Sequence, residues 1–163
     1  MLIICKNFNE LNFEQLTLVH QESIEEAGKK CFPYDEPERQ RLKAEDDFED
    51  YLRRDFFNTT DARYCIWCEG GVYLSAMRLE PYKDGILICG LETRPSCRKN
   101  GYAASLLKTS LANIGQPVYS HIAKNNAASI AVHVHCGFRH LREGARLLDG
   151  SVSSFYDTYL FIN

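Results

Sequence analysis

Hydrophobic residues in the first third of the chain recur mostly at helical spacing. Residues 2 to 5 form a short apolar run, which predicts a first strand. Apolar positions then repeat every three or four residues from 13 to 27, so we predict one helix with Asn12 as its N-cap and Gly28 at its end. Pro37 is placed to open a second helix, whose predicted buried stripe is Leu42, Phe48, Tyr51, Leu52 and Phe56.

Strand-like patterns dominate the middle of the chain. Residues 63–68 and 72–79 flank Glu69-Gly70-Gly71, which is a typical hairpin sequence. Residues 86–93 are almost continuously apolar, which predicts a central strand. Gly90 interrupts this strand and predicts a bulge or a close backbone approach.

Helices and strands alternate in the last third. We predict a helix over 103–114, a strand over 118–123, a short helix capped by Asn126, and closing strands over 138–141 and 154–162. The order predicts one α/β (α+β) domain over residues 1–163, with a mixed, mostly antiparallel sheet of about seven strands flanked by about four helices.

Composition excludes several classes of protein. The chain has 163 residues and a net charge of −3, whereas general nucleic-acid binders usually carry a basic excess. We find no run of ~18 apolar residues and no signal-peptide pattern at the N-terminus, so we expect a cytoplasmic protein without a membrane partner.

The seven cysteines are odd in number and lie mostly in apolar runs, which favours reduced thiols. Cys65 and Cys68 are three apart in a predicted strand, so they face opposite sides, and no metal is expected.

Residues 91 to 103 run from the central strand through a polar loop into an amphipathic helix. A helix N-terminus has unpaired N–H groups and a partial positive charge. Gly101 allows close approach of an anion, Ala103 keeps the first turn thin, and Arg98 and Lys99 add charge. These features suit a phosphate or diphosphate. On local chemistry alone, a capped helix behind a solvated basic loop is an equal alternative.

The pattern Arg98-x-x-Gly101-x-Ala103 resembles the Arg/Gln-x-x-Gly-x-Gly/Ala motif of the GNAT superfamily of N-acetyltransferases. Farther along, Asn126-x-x-Ser129-x-x-x-His133-x-x-x-Gly137-Phe138 resembles the later helix of that family, which ends in Gly-Phe. The two motifs occur in the family's order and separation. The resemblance covers residues 86 to 143, and before Asp61 it is only topological.

The resemblance implies acetyl-coenzyme A as the co-substrate. In the family it lies where two central parallel strands splay apart in a V, and its pantetheine arm pairs with the backbone of the earlier strand. Helix-start amides and an arginine hold the diphosphate, and the later motif contacts pantetheine from the other side. The implied cofactor-binding residues are Leu91, Glu92, Thr93, Arg98, Lys99, Asn100, Gly101, Tyr102, Ala103 and Asn126.

Two residues match positions that carry chemistry in the family, where an amine usually attacks the thioester directly. Glu92 is the implied base, and we expect burial to raise its pKa. The alternative is a strand-end carboxylate paired with Arg94 or Arg78. His133 stands where the family often has a tyrosine that protonates the leaving thiolate. A structural histidine remains an alternative at that position.

The acceptor site is less defined by the sequence. The family often lines it with the region between the first two helices, which here contains Tyr34, Asp35 and Glu36. Carboxylates there would attract an ammonium group, and a solvated acidic loop is the alternative. Tyr156 and Tyr159 are further candidates, although they point to opposite faces of the last strand.

The predicted function is an acetyl-CoA-dependent N-acetyltransferase acting on a primary amine of a small molecule or protein. We expect a ternary complex, a monomer or homodimer, and no nucleic-acid partner. The alternative from another class is a non-catalytic acyl-CoA-binding regulatory module of the same fold. A third possibility is a protein that binds nucleotide phosphates.

Overall fold

The computed structural model describes residues 1–162, and its elements follow the predicted order with one exception in the first helix. Within these residues lie seven strands and five α-helices. The strands are β1 (Leu2–Cys5), β2 (Arg63–Glu69), β3 (Val72–Tyr82), β4 (Gly85–Thr93), β5 (Val118–Ala123), β6 (Arg139–Arg146) and β7 (Val152–Phe161). The helices are α1 (Phe13–Val19), α2 (Gln21–Cys31), α3 (Pro37–Arg54), α4 (Tyr102–Leu111) and α5 (Ala127–His135).

The described strands form one sheet in the order β1-β2-β3-β4-β5-β7-β6. β4 and β5 are parallel and pair only from Ile86 to Ile88, while the other neighbours are antiparallel. Beyond Ile88, β4 stays paired with β3 as far as Thr93, and β5 stays paired with β7 as far as Ala123. The two central strands therefore splay apart, and the predicted fold class is confirmed.

Hydrophobic clusters cover both faces of this sheet. Leu106 and Leu107 of α4 lie in one cluster with Cys65, while Leu16 of α1 lies in the other with Tyr64. Successive β2 residues thus point to opposite faces, as a strand requires. Cys65 and Cys68 also belong to different clusters.

The first predicted helix is in fact two helices, α1 and α2, with His20 at the break between them. Asn12 does cap α1, because its side-chain oxygen accepts a hydrogen bond from the Gln15 N–H at 3.0 Å. Gly28 does not end the helix but lies buried inside α2. A Cβ there would lie 2.6 Å from the backbone oxygen of Gln40, so glycine permits the close packing of α2 on α3.

The closing strands β6 and β7 begin or end outside their predicted bounds. β6 continues to Arg146, although most of its side chains are exposed. It lies at the edge of the sheet and pairs only with β7, so its outer residues need no apolar pattern. Hydrophobic periodicity therefore underestimated its length. Among residues 1–162, no helix combines the length and the apolar character that crossing a membrane requires.

Gly90 produces the predicted irregularity in β4. Its φ is +58°, in the left-handed region that favours glycine. The register between β3 and β4 shifts at this point, because Ala76 pairs with Glu92 whereas Arg78 pairs with Cys89. The bulge lies just past the last β4–β5 pair, so it marks the start of the splay.

His121 of β5 is a half-buried histidine whose Nε2 has no hydrogen-bond partner within residues 1–162. Burial lowers its pKa to about 4, and the Lys83 and Arg142 charges act in the same direction. The folded protein therefore binds a proton at His121 less readily than the unfolded chain does. As the pH falls from 6.5 toward about 4, the preference of the folded state for neutral His121 therefore lowers the free energy of unfolding.

Replacing His121 by Phe is expected to stabilise the protein. The gain at pH 7.5 should be about 1 kcal/mol, because an unpaired buried polar atom is removed, and it should grow as the pH falls. Urea unfolding of both proteins at pH 7.5 and pH 5 measures the difference, with His135→Phe on the exposed face of α5 as the control. A difference that stays constant with pH would show that His121 does not cause the acid sensitivity.

Candidate functional site

A cleft opens where β4 and β5 separate. It encloses about 700 Å³ and is lined by residues 87–92 of β4 and 120–123 of β5, with Asn126 just before α5 and His133 within it. The Arg94 N–H donates to the Leu74 carbonyl of β3. The backbone N–H and C=O groups of every second residue back along β4 therefore also face β3. Those of Leu91 and Thr93 therefore face the open edge, where β4 has no strand partner. An extended ligand has room to pair with this edge.

The turn before α4, residues 98 to 104, has the geometry of an anion-binding nest. Lys99 and Gly101 have φ of +65° and +79°, and Gly101 is the N-cap of α4 without a side-chain cap. Within residues 1–162, the backbone N–H groups from Lys99 to Ala104 have no hydrogen-bond acceptor. Free amides at a helix N-terminus attract phosphate. We call residues 98–104 the diphosphate turn.

A second cavity of about 650 Å³ lies against the diphosphate turn. Arg98, Lys99, Gly101, Tyr102 and Ala103 line it, together with Leu91, Glu92, Thr93 and Asn126. The predicted cofactor residues are thus brought together, with one exception. Asn100 does not line this cavity, and its side-chain amide donates to the carbonyls of Cys97 and Arg98 at 3.1 and 3.2 Å, which holds the loop in shape.

Arg98 is engaged by an acidic residue that sequence reasoning did not identify. Its guanidinium donates to both carboxylate oxygens of Glu22 in α2, at 3.1 and 2.6 Å. Its Nε also donates to the Thr93 carbonyl at 3.3 Å. Glu22 therefore brings a negative charge to the cavity beside the diphosphate turn.

Asn126 caps α5 as predicted. Its side-chain oxygen accepts a hydrogen bond from the Ser129 N–H at 3.0 Å. The residue lines both large cavities. Its side-chain amide makes no hydrogen bond within residues 1–162, so this donor is available to a ligand in the cleft.

Glu92 lies where three cavities meet. It lines the two large ones and also a third of about 220 Å³, which we call the Glu92 pocket. Its Oε1 accepts hydrogen bonds from the Ser23 hydroxyl at 2.6 Å and from His20 Nδ1 at 2.8 Å. Its Oε2 has no partner within residues 1–162, so one carboxylate oxygen is held and the other is free. It pairs with neither Arg94 nor Arg78.

The expected rise in the pKa of Glu92 was wrong. Burial does act to raise it, but the His20 hydrogen bond and charge, the Ser23 hydrogen bond and the Arg98 charge together outweigh burial. The pKa of Glu92 is therefore held below its usual range, and the carboxylate is ionised at neutral pH.

His20 is the site residue that sequence reasoning missed. Burial raises the pKa of Tyr64, so its hydroxyl stays protonated, and it forms a hydrogen bond with His20 Nε2 at 2.6 Å. His20 Nδ1–H then donates to Glu92, which completes a chain from Tyr64 through His20 to Glu92. His20 is 5% exposed and follows the buried Leu16 by four positions. The sequence did contain a signal for this residue, because a histidine four positions after an apolar helix residue faces the core.

His133 is 1% exposed, and both ring nitrogens have partners. Nδ1 lies 2.8 Å from the Ser129 carbonyl, which only accepts, so this nitrogen carries the proton. Nε2 lies 3.1 Å from the Ser120 hydroxyl and accepts from it. Burial lowers the pKa of His133, which favours this neutral form. In this form Nε2 has no proton to give to a group in the cleft.

The predicted acceptor residues are not brought to this site. Tyr34, Asp35 and Glu36 line none of the three cavities. The Tyr34 side chain is fully exposed, and Asp35 forms an ion pair with Lys43 at 2.6 Å. The Glu92 pocket is lined instead by other residues of α2, α3 and the sheet, which are His20, Ser23, Ile24, Ala27, Ala44, Phe48, Tyr64, Arg78 and Gly90.

Solved structures of acetyltransferases resemble this fold over its whole length. The PaiA N-acetyltransferase of Thermoplasma acidophilum, in complex with coenzyme A, has a TM-score of 0.63 at 14% identity, covering 100% of this chain and 99% of its own. The spermidine N-acetyltransferase of Vibrio cholerae, in complex with CoA and spermine, has a TM-score of 0.57 at 13% identity, covering 98% and 94%.

An aminoglycoside 6'-acetyltransferase of type Ii has a TM-score of 0.61 at 15% identity, covering 98% of this chain and 96% of its own. At such identities these likenesses show the fold alone. No curated protein sequence matches the chain.

The family match rests on the sequence itself. The profile of the acetyltransferase (GNAT) family matches residues 22–138, which include β4, the diphosphate turn and α5. That span also contains Glu92 and most of the residues that line the three cavities. The chain is a member of the GNAT family of acetyltransferases.

Proposed function

We propose that this chain transfers an acetyl group from acetyl-CoA to a primary amine that binds in the Glu92 pocket and attacks the thioester directly. The observation that carries the proposal is the position of Glu92. It lines the cleft, the cavity at the diphosphate turn and the Glu92 pocket, with one carboxylate oxygen free. A donor and an acceptor in neighbouring cavities would thus meet at one carboxylate.

In this proposal the pantetheine arm pairs with the open edge of β4. Leu91 and Thr93 have backbone groups that face the cleft and lack a strand partner, which supports the pairing. The free amides of the diphosphate turn bind the two phosphates, and Arg98 and Lys99 add positive charge. Asn126 offers its free amide from the opposite wall of the cleft.

Glu92 has two tasks in the proposed reaction. Its ionised carboxylate attracts the acceptor's ammonium group through the free Oε2. The ammonium group first loses one proton to solvent. The amine nitrogen then forms a bond to the thioester carbon, Glu92 accepts the second proton from that nitrogen, and the carbon–sulfur bond breaks to release coenzyme A as a thiolate that takes up a proton from solvent. Because the pKa of Glu92 is low, the proton leaves most readily once attack has made the nitrogen positive.

His20 is proposed to position Glu92. It holds Oε1 from one side while Ser23 holds it from the other, so the carboxylate is oriented with Oε2 toward the pocket. Tyr64 in turn orients His20. Such support from buried neighbours keeps a reacting group in productive geometry.

Replacing Glu22 by Gln is expected to tighten acetyl-CoA binding by about three- to fivefold. The exposed ion pair with Arg98 must be lost or shared when a diphosphate binds, and the Glu22 charge repels that diphosphate. Calorimetric titration with acetyl-CoA measures the dissociation constant, and Glu26→Gln on the exposed face of α2 is the control. Weaker binding by Glu22→Gln would show instead that the pair holds Arg98 ready for the ligand.

The proposed function is tested by thiol release from acetyl-CoA in the presence of primary amines. We first expect acetyl-CoA at 100 times its dissociation constant to stabilise the fold by about 2.7 kcal/mol. Thiol release that requires an amine supports the transferase. Stabilisation by acetyl-CoA without release by any amine would favour the regulatory module, and stabilisation by ATP or NAD alone would favour the phosphate binder.

A further inference from the structure

Arg78 of β3 is a half-buried cation that lines the Glu92 pocket. Within residues 1–162, no carboxylate oxygen lies within 4.0 Å of its guanidinium, and the guanidinium donates no hydrogen bond. Its carbon Cζ lies 5.2 Å from the centre of the Tyr51 ring. Shielding a cation from water without an anionic partner is costly, so an anion in the pocket would stabilise it.

Among residues 1–162, the surroundings of Arg78 leave it facing the pocket without a hydrogen-bond or ion-pair partner. Glu80 lies two positions along the same strand and is 7% exposed, yet it forms no ion pair with Arg78. The Tyr64 hydroxyl is already engaged by His20. Glu92 is also in the pocket but does not pair with Arg78. The pocket thus holds one free carboxylate oxygen and one free guanidinium, separated from each other.

Gly90 lies against the guanidinium of Arg78. A Cβ at this position would lie 3.4 Å from Nη2 and 3.6 Å from Nε of Arg78. These are ordinary van der Waals distances, so the guanidinium lies beside the backbone of β4 at the bulge. Gly90 also lines the cleft, so the pocket that contains Arg78 is directly beside the cleft proposed to hold the pantetheine arm.

We propose that the acceptor is a small amino-carboxylate, whose ammonium group binds Oε2 of Glu92 and whose carboxylate binds Arg78. The inference rests on the proposed function and specifies its substrate. An arginine fork binds a carboxylate through two parallel hydrogen bonds. The pocket volume of about 220 Å³ corresponds to about seven water volumes of ~30 Å³, which suits a molecule of this size. Apolar side chains of α2 and α3 surround the methylene chain, including Ile24, Ala27 and Phe48.

The test compares glycine, β-alanine, 4-aminobutyrate and 5-aminopentanoate with the primary amides of the same acids. Each amide has nearly the size and shape of its acid but lacks the negative charge that Arg78 would bind. For the best chain length we expect kcat/KM for the acid to exceed that of its amide by about tenfold or more, since hydrogen bonds to charged groups contribute ~1.5–3 kcal/mol. Amides that react as well as acids at every length would overturn the inference.

Variants of Arg78 assign the effect to this residue. Arg78→Met should lower kcat/KM for the preferred acid by about 10- to 100-fold and leave its amide within about threefold. Arg78→Lys keeps the charge but loses the fork, so it should recover part of the preference for the acid. Equal losses for acid and amide in Arg78→Met would indicate a structural role and contradict the proposal. Melting temperatures of both variants show whether they fold.

Failure of the proposed function has a different signature. Acetyl-CoA would then stabilise the protein, but no acid or amide would release thiol. In that case calorimetry with the same amino acids, in the presence of coenzyme A, tests whether Arg78 binds their carboxylate. Binding to the wild type but not to Arg78→Met supports a carboxylate site, and absence of binding to the wild type overturns it. Release from amides alone overturns the Arg78 site and keeps the transferase.

Discussion

Replacing Glu92 by Gln is expected to lower kcat/KM for acetyl transfer by about 10²- to 10⁴-fold, the usual contribution of a general base. Gln has the same shape and still accepts the hydrogen bonds of Ser23 and His20 through its oxygen. It carries no charge, so it neither attracts the ammonium group nor accepts its proton. Steady-state thiol release at varied amine concentrations and saturating acetyl-CoA measures the loss.

The binding of acetyl-CoA provides the internal control for Glu92→Gln. Its dissociation constant should change little, because the diphosphate turn and the open edge of β4 are untouched. Glu143→Gln on exposed β6 controls for the loss of a carboxylate elsewhere. Full activity of Glu92→Gln would remove Glu92 from the mechanism while leaving the fold and the family unaffected.

His133→Gln separates two roles of the buried histidine. If His133 gives a proton to the thiolate, kcat should fall by about 10²-fold or more. If it only packs against Phe138 and holds Ser120, the variant should lose stability while kcat changes little. The neutral tautomer required by its two partners favours the second result. A large fall in kcat at unchanged stability would instead support the proton donor implied by the family resemblance.

Replacing Gly101 by Glu is expected to raise the dissociation constant of acetyl-CoA by about 100-fold or more, which is about 2.7 kcal/mol. The new carboxylate would stand among the free amides where the diphosphate is proposed to bind, and like charges repel. A side chain at φ of +79° also strains the turn, although a Cβ there would meet no atom within 4 Å. Calorimetric titration with acetyl-CoA measures the effect.

Gly71→Glu is a closely matched control for this substitution. Gly71 has φ of +81°, a Cβ there also meets nothing within 4 Å, and the residue is exposed in the β2–β3 turn. The two variants therefore share the backbone strain and the added charge, and only Gly101 lines the cavity. Similar dissociation constants in both variants would show that the diphosphate turn does not bind the cofactor.

Local patterns in the sequence were sufficient for most of the fold. Alternating and helical periodicities predicted seven strands, and Gly90 predicted a bulge, because these features depend on neighbouring residues. The break at His20 was missed since the apolar spacing continues across it. The buried Gly28 was misassigned as a helix end because its reason is a contact with Gln40 of another helix.

The same distinction between local sequence and tertiary packing applies to the candidate site. The sequence alone determined the family and located the turn proposed to bind the diphosphate, because this proposed site consists of backbone amides and a short motif that are contiguous in the chain. Only the tertiary structure decided the state of Glu92 and the position of the pocket proposed for the acceptor. His20 is 72 positions from Glu92, and the two meet only because α1 and α2 pack on the sheet. Contacts between residues that far apart depend on packing, and one of them reversed the expected pKa shift of Glu92.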